Sequence, residues 1–126
     1  MNLLPDTHIL LLWLAGDRRL PRRAAELLES GGNAVTVSVI SLWEIAIKTA
    51  KSKIRADLNE IQLAIEQSGF MLLPVHGRHV IAYSQLPRYH RDPFDRMLVA
   101  QALSEPLRLL THDHQLARYS DTVVVV

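Results

Sequence analysis

The stretch HRDPFDRMLVAQALSEPLRLLTHD, residues 90–113, decides the fold. Asp92 suits an N-cap and Pro93 the first helical position, where a missing N–H costs nothing. Phe94, Met97, Leu98, Val99, Ala100, Ala102 and Leu103 then surround most of a helix over Pro93–Ser104, which must be buried on more than one side. A short apolar strand, Arg108–Thr111, follows it. A buried helix feeding a buried strand is half of a crossover unit, and such units build parallel sheets. Asp95 is the misfit. It shares the stripe of Leu98, Val99 and Ala102 at i+3, i+4 and i+7, and no Lys or Arg follows it at i+3 or i+4.

The alternation continues outward from this stretch. Strands are expected at Asn2–Pro5, Ala34–Ser38, Phe70–Leu73 and Thr122–Val126. Helices are expected at His8–Ala15, Pro21–Ser30, Leu42–Ala50, Leu58–Gln67, Arg78–Leu86 and His114–Tyr119. The fold class is therefore α/β, with a mainly parallel sheet covered by helices on both faces. Pro5 is irregular, because it removes a ladder donor from what should be an inner strand. It fits if pairing has already ended there.

At 126 residues the chain is expected to form a single domain, 1–126, with a substantial core. Apolar residues at 48% and charged residues at 21% exclude a disordered polar chain. A formal net charge of +1 argues neither for nor against nucleic acid. Its distribution says more: Arg18, Arg19, Arg22 and Arg23 cluster, as do Lys48, Lys51, Lys53 and Arg55, and then Arg88, Arg91 and Arg96. The absence of cysteine excludes disulfides and thiolate metal sites. The apolar run Ile9–Ala15 is too short to span a bilayer and lacks the basic flank of a signal peptide. A cytoplasmic location with no membrane partner is expected.

Four acids each have an innocent local role. Asp6 can cap the helix after the first strand, and Asp113 the last one. Glu44 closes a Ser-x-x-Glu capping box in SLWE, 41–44, and forms an ordinary surface pair with Lys48 at i+4. Asp95 sits at the third position of its helix, where the dipole favours it. Together they are harder to dismiss. In an open parallel sheet all strand C-termini share one edge, and ligands bind in the crevice there. Asp6, Glu44 and Asp113 reach that edge from separate strands, and Asp95 joins from its helix mouth. Two carboxylates 4 Å apart repel by roughly 1 kcal/mol in water and about 4 kcal/mol at an effective dielectric of 20. No lysine follows Lys53, so the C-terminal half offers none as compensation. A hard divalent cation, Mg²⁺ or Mn²⁺, suits an oxygen-rich site. Asp95 then becomes a ligand held by its helix amides.

The histidines are read more plainly. His8, His90, His112 and His114 lie near the acids as solvated or hydrogen-bonded side chains, and His76 and His79 make a loose HxxH. The bracket His112-Asp113-His114 lacks third and fourth zinc ligands at a recognisable spacing. Trp13 and Trp43 lie on apolar helix faces as core or interface residues.

LLPDTHILLLW (3–13), SVISLWEIAIK (38–48), HRDPFDRMLVAQA (90–102) and LLTHDHQL (109–116) together resemble a PIN-domain ribonuclease of the VapC toxin type. The resemblance runs over nearly the whole chain, in order and at compatible spacings. It implies a three-layer α/β/α sandwich and metal-dependent cleavage of RNA. Asp6, Glu44, Asp95 and Asp113 fall on the family's acidic, metal-holding positions. Thr111 matches a hydroxyl that supports the acidic site, and Asp92 and Arg96 match structural or substrate-orienting positions. The resemblance further implies a cognate antitoxin and a homodimer or toxin–antitoxin hetero-oligomer. Pro5 departs from the aliphatic residue more often found in the family. His112 and His114 around Asp113 are also unusual, and could tune the metal or its pH dependence.

The expected chemistry is in-line attack of water on a phosphodiester, with one or two Mg²⁺ or Mn²⁺ ions shared among the carboxylates and no protein nucleophile. Arg88, Arg91 and Arg96 would hold the RNA backbone. Two alternatives carry different predictions. A phospho-receiver-like signalling domain needs an acidic neighbour beside Asp6 and a lysine after a late strand, and neither is present. A catalytically inactive PIN-fold binding module differs only in failing to cleave RNA.

Overall fold

The computed structural model describes residues 1–51 and 55–126, so Lys53 of the second basic cluster lies outside the described residues. Five strands form one all-parallel sheet: β1 (Asn2–Pro5), β2 (Ala34–Ser38), β3 (Met71–Leu73), β4 (Arg108–Thr111) and β5 (Val124–Val125). Their order is β3-β2-β1-β4-β5. The chain builds leftward from β1 and then returns to its other side, so the switch point lies between β1 and β4. Crevices open at such points beyond the strand C-termini.

Helices cover both faces, because the strands alternate side chains across the sheet. Leu3, Val35, Val37 and Leu110 face a core with Ile9 and Leu10 of α1 (Thr7–Leu14), Ala24 and Leu28 of α2 (Arg22–Glu29) and Ile65 of α4 (Leu58–Gln67). Leu4 and Leu109 face the other core. It contains Ile40 of α3 (Val39–Ala50), Leu98, Val99 and Ala102 of α6 (Pro93–Ser104), and Leu116 of a 3-10 helix (His114–Tyr119). α5 (Gly77–Ser84) packs on α6. The expected three-layer sandwich is present, and Asp95's helix is indeed buried on several sides.

Several boundaries differ from expectation for physical reasons. α3 begins at Val39, not Leu42, with the Ser38 hydroxyl accepting the Ile40 N–H at 3.0 Å. Strand runs into helix with no loop, and the β-branched Val39 and Ile40 disguise the junction. Ser41 is therefore inside the helix and forms no capping box; it is buried against Thr7, whose hydroxyl donates to it at 2.9 Å. The last helix has the expected bounds, His114–Tyr119, and is of the 3-10 kind. Pro5 pairs with Leu110 on the β4 side, while the β2 ladder ends at Leu3 opposite Val35. Asp6 N–H bonds Leu110 O at 2.9 Å, so the donor-less Pro5 nitrogen faces the β2 side, where pairing has stopped. Trp13 packs beside Phe70, whereas Trp43 is 59% exposed with its ring edge-on to Phe94.

Candidate active site

The cleft beyond β1 and β4 receives its carboxylates from four different elements. Asp6 stands between β1 and α1 and is only 5% exposed. One of its oxygens accepts the Ile9 N–H at 2.9 Å, as an N-cap should. The other accepts the Thr111 hydroxyl at 2.6 Å. The same Thr111 oxygen takes the Asp113 N–H at 3.0 Å, so one hydroxyl joins the ends of β1 and β4. Burial pushes the Asp6 carboxyl up, and the bonds from Thr111 and Ile9 pull it back in part.

Glu44 lies in the second turn of α3, also 5% exposed. Its partner Lys48 reaches it at 2.7 Å, and both line the cleft. The expected surface pair is therefore an inward pair. The bond to Glu44 raises Lys48, which also feels the charges of Asp92 and Asp95. Compensation for the acids comes partly from this lysine, four residues from an acid already singled out. Its signal was available: once Glu44 points inward, the i+4 position shares that face.

At the mouth of α6, Asp92 is the N-cap and accepts from the amides of Phe94 at 2.8 Å and Asp95 at 3.4 Å. Those amides are thus spent on Asp92, and the expectation that they hold Asp95 is corrected. Asp95 is half-buried, and its carboxyl is pushed up to about 7 by desolvation first, then by Asp92, Asp6 and Glu44. Among the described residues no hydrogen bond offsets that cost, and His90, 3.9 Å away, lowers it in part.

Asp113 caps the 3-10 helix, accepting the Gln115 N–H at 2.9 Å. Its second oxygen meets His90 Nε2 at 2.8 Å. The Asp92 N–H donates to His90 Nδ1 at 3.1 Å, so in the neutral ring the proton sits on Nε2 and is donated to Asp113. Desolvation pushes Asp113 up, but the Gln115 amide and His90, with the charge of His114, outweigh it and leave the carboxyl low.

Asp6, Glu44, Asp92, Asp95 and Asp113 share this cavity of about 320 Å³ with Lys48, Thr7, His8 and His112. Among the described residues, five acids against one lysine form a donor set that fits a hard divalent cation. His90, Asp95 and Asp113 each offer a ligand atom within 4.8 Å of the others. The sequence placed His90 near the acids, but its partner Asp113, 23 positions away, was not legible there. His112 lines the cleft with Nδ1 on the Val126 carbonyl oxygen, and His114 is exposed. The HxxH pair lies elsewhere: His79 is buried, accepts the His76 N–H at 3.0 Å and bonds Glu105 at 2.7 Å.

Of the arginines, Arg96 is half-buried, with its guanidinium 4.5 Å from the Tyr83 ring centre and a 3.4 Å bond to the Leu86 carbonyl. It ties α6 to α5 and to the following loop. Arg88 and Arg91 are exposed and line a recess that shares Asp113 with the cleft.

The PIN domain family model matches residues 3–121. Similar solved structures include VapBC2 from Rickettsia felis bound to a promoter DNA fragment, at 17% identity and a TM-score of 0.67, covering 100% of this chain and 98% of that one. A toxin–antitoxin complex from Klebsiella pneumoniae matches at 23% identity and 0.67, covering 97% and 95%. FitAcB from Neisseria gonorrhoeae matches at 19% identity and 0.65, covering 98% and 96%. At these identities the likeness is one of fold. No curated protein matches the sequence.

Proposed function

The chain belongs to the PIN-domain family, and on that premise we propose that it is a metal-dependent endoribonuclease, the toxin of a toxin–antitoxin pair, acting in the cytoplasm with residues 1–126 as one nuclease domain. The observation that carries the reading is the meeting of Asp6, Glu44, Asp95 and Asp113 in one cleft at the sheet's switch point. These four would hold the cation. When bound, Mg²⁺ or Mn²⁺ supplies charge neutralisation at the phosphate and acidification of water.

The chain's own residues prepare that chemistry. Thr111 fixes the orientation of Asp6 and the start of the Asp113 turn with a single buried hydroxyl. Asp92 satisfies the α6 amides and so sets the angle at which Asp95 enters the cleft. Lys48 holds Glu44 and lowers the repulsion among the acids while leaving their sum negative. Arg88 and Arg91 would hold the substrate backbone beside the cleft, where their charge is opposite to that of RNA. Arg96 acts through the backbone it anchors.

The relatives of known structure that form complexes with antitoxins support a cognate antitoxin as partner, with a homodimer or toxin–antitoxin hetero-oligomer as the assembled form. No described helix is long and apolar enough to cross a membrane. The decisive experiment incubates the protein and its Asp6→Asn form with total cellular RNA and Mn²⁺, and maps the cut ends. Cleavage by the parent alone, abolished by chelator, is expected. An intact RNA pool with both proteins would identify the inactive binding module instead.

A further inference from the structure

Among the described residues, the acid cleft adjoins two recesses of opposite chemistry. Past Leu11 it adjoins a groove of Leu14, Ala15, Ile61 and Ala64 with two acids, Asp57 and Glu60, and one arginine, Arg55. Past Asp113 it adjoins the recess of Arg88, Tyr89, His90, Arg91 and Gln115. A further recess continues from Arg88 and Arg91 to Arg96. A phosphodiester chain gains little from the described residues of that groove, which are apolar or net acidic, and meets two arginines on the Asp113 side.

The arginine recess is also held in place. The His90 N–H donates to the Tyr119 hydroxyl at 3.1 Å, and the Tyr89 and Tyr119 rings lie 5.2 Å apart. Arg96 grips the Leu86 carbonyl before the segment, and the Asp92 N–H bonds His90 after it. Arg88 and Arg91 therefore stand on backbone already ordered, which lowers the cost of binding. The Arg118 guanidinium lies 4.3 Å from the centre of the Tyr89 ring, and Arg118 is exposed. The guanidinium lies over the tyrosine ring, and the exposure of Arg118 makes it accessible to an unpaired base.

We infer that residues 88–91 with Arg118 form a preformed cradle for single-stranded RNA, through which the strand leaves the cleft on the Asp113 side. The cradle rests on the ribonuclease reading for its substrate class. Arg88 and Arg91 take the phosphates flanking the scissile one, and Arg118 stacks a base, as a single strand permits and a paired duplex does not.

The test measures binding of a fluorescein-labelled, mixed-sequence single-stranded RNA by anisotropy in chelator, so that cleavage does not intrude. Arg88→Ala with Arg91→Ala should weaken binding at least tenfold and reduce the salt slope by roughly 1.4, as expected for two lost phosphate contacts on a single strand. Arg118→Ala should weaken it severalfold. Arg22→Ala with Arg23→Ala on α2 should leave it unchanged. The same RNA annealed to its complement should bind more weakly. Unchanged affinity in the Arg88/Arg91 pair, or equal affinity for the duplex, overturns the cradle even if the parent cleaves RNA. Loss of binding in that pair with a parent that cuts no RNA keeps the cradle and ends the ribonuclease reading. A parent that binds no RNA in chelator ends the cradle, and cleavage with Mn²⁺ decides the ribonuclease reading separately.

Discussion

Asp6 and Asp113 perform the same local task. Each follows a strand at the sheet's switch point, and each accepts a free amide in the first turn of the helix it caps. Their surroundings separate them. Asp6 is shut into the floor with Glu44, its carboxyl raised by burial and steadied by Thr111. Asp113 stands at the rim, more open, its carboxyl lowered by the Gln115 amide and His90. The floor holds charge that water would otherwise solvate, and the rim holds charge already balanced by its neighbours. A cation should therefore gain most from the floor and from Asp95 between the two, because that is where burial has taken water from the carboxylates.

The largest effect should separate floor from rim. Asp6→Asn is expected to cost on the order of a thousandfold in cleavage rate, about 4 kcal/mol of barrier, and Asp113→Asn roughly tenfold to a hundredfold. Single-turnover cleavage of one defined RNA measures both, and equal losses would break the distinction. Thr111→Val comes next. It keeps the shape of the side chain and removes the bond to Asp6 and the acceptor for Asp113, so Mn²⁺ affinity should fall by about 10–100-fold. Calorimetric titration with Mn²⁺ reads this directly.

A smaller effect concerns stability without metal. Asp95's carboxyl is raised from 3.8 to about 7, so the folded state binds a proton that the unfolded chain has released. Its ionisation therefore costs nothing below pH 3.8, grows costlier as pH rises toward 7, and is fully present above. In chelator, the parent's Tm should fall across that window, and Asp95→Asn should flatten the fall by several degrees, each kcal/mol being worth roughly 4 °C at this size. Asp113 carries the opposite sign: its stabilisation is lost only as pH drops below the usual carboxylate range. Thermal scans with and without Mn²⁺ check both, since the cation should raise the parent's Tm most at high pH. The mildest change is Lys48→Met. Removing the cleft's lysine deepens its negative potential, so Mn²⁺ should bind severalfold more tightly while metal-free stability declines.

Much of this molecule could be read before it was folded. Asn2–Pro5, Ala34–Ser38, Leu58–Gln67, Pro93–Ser104 and Arg108–Thr111 have the bounds expected of them, because caps, prolines and apolar periodicity mark their ends. Asp57 and Asp92 cap their helices as such residues should. The start of α3 was hidden because Val39 and Ile40 continue a strand-like pattern into a helix held by Ser38. The capping-box role of Ser41 fell with it, and with that the surface role of Glu44. By contrast, Asp92 was legible as the N-cap, and the amides it takes as such are the ones also expected to hold Asp95.

What the sequence by itself determined is local: which segments are helix or strand, which faces are apolar, and which acids stand at element ends. Those choices are set by interactions within a few residues of chain. Only the tertiary structure decided that Thr111 meets Asp6 across 105 positions, that His90 rather than His112 or His114 bonds Asp113, and that Lys48 turns inward. Such contacts follow from the strand order and from the two packed cores beneath it, and burial, not residue type, then sets the charge each acid can carry.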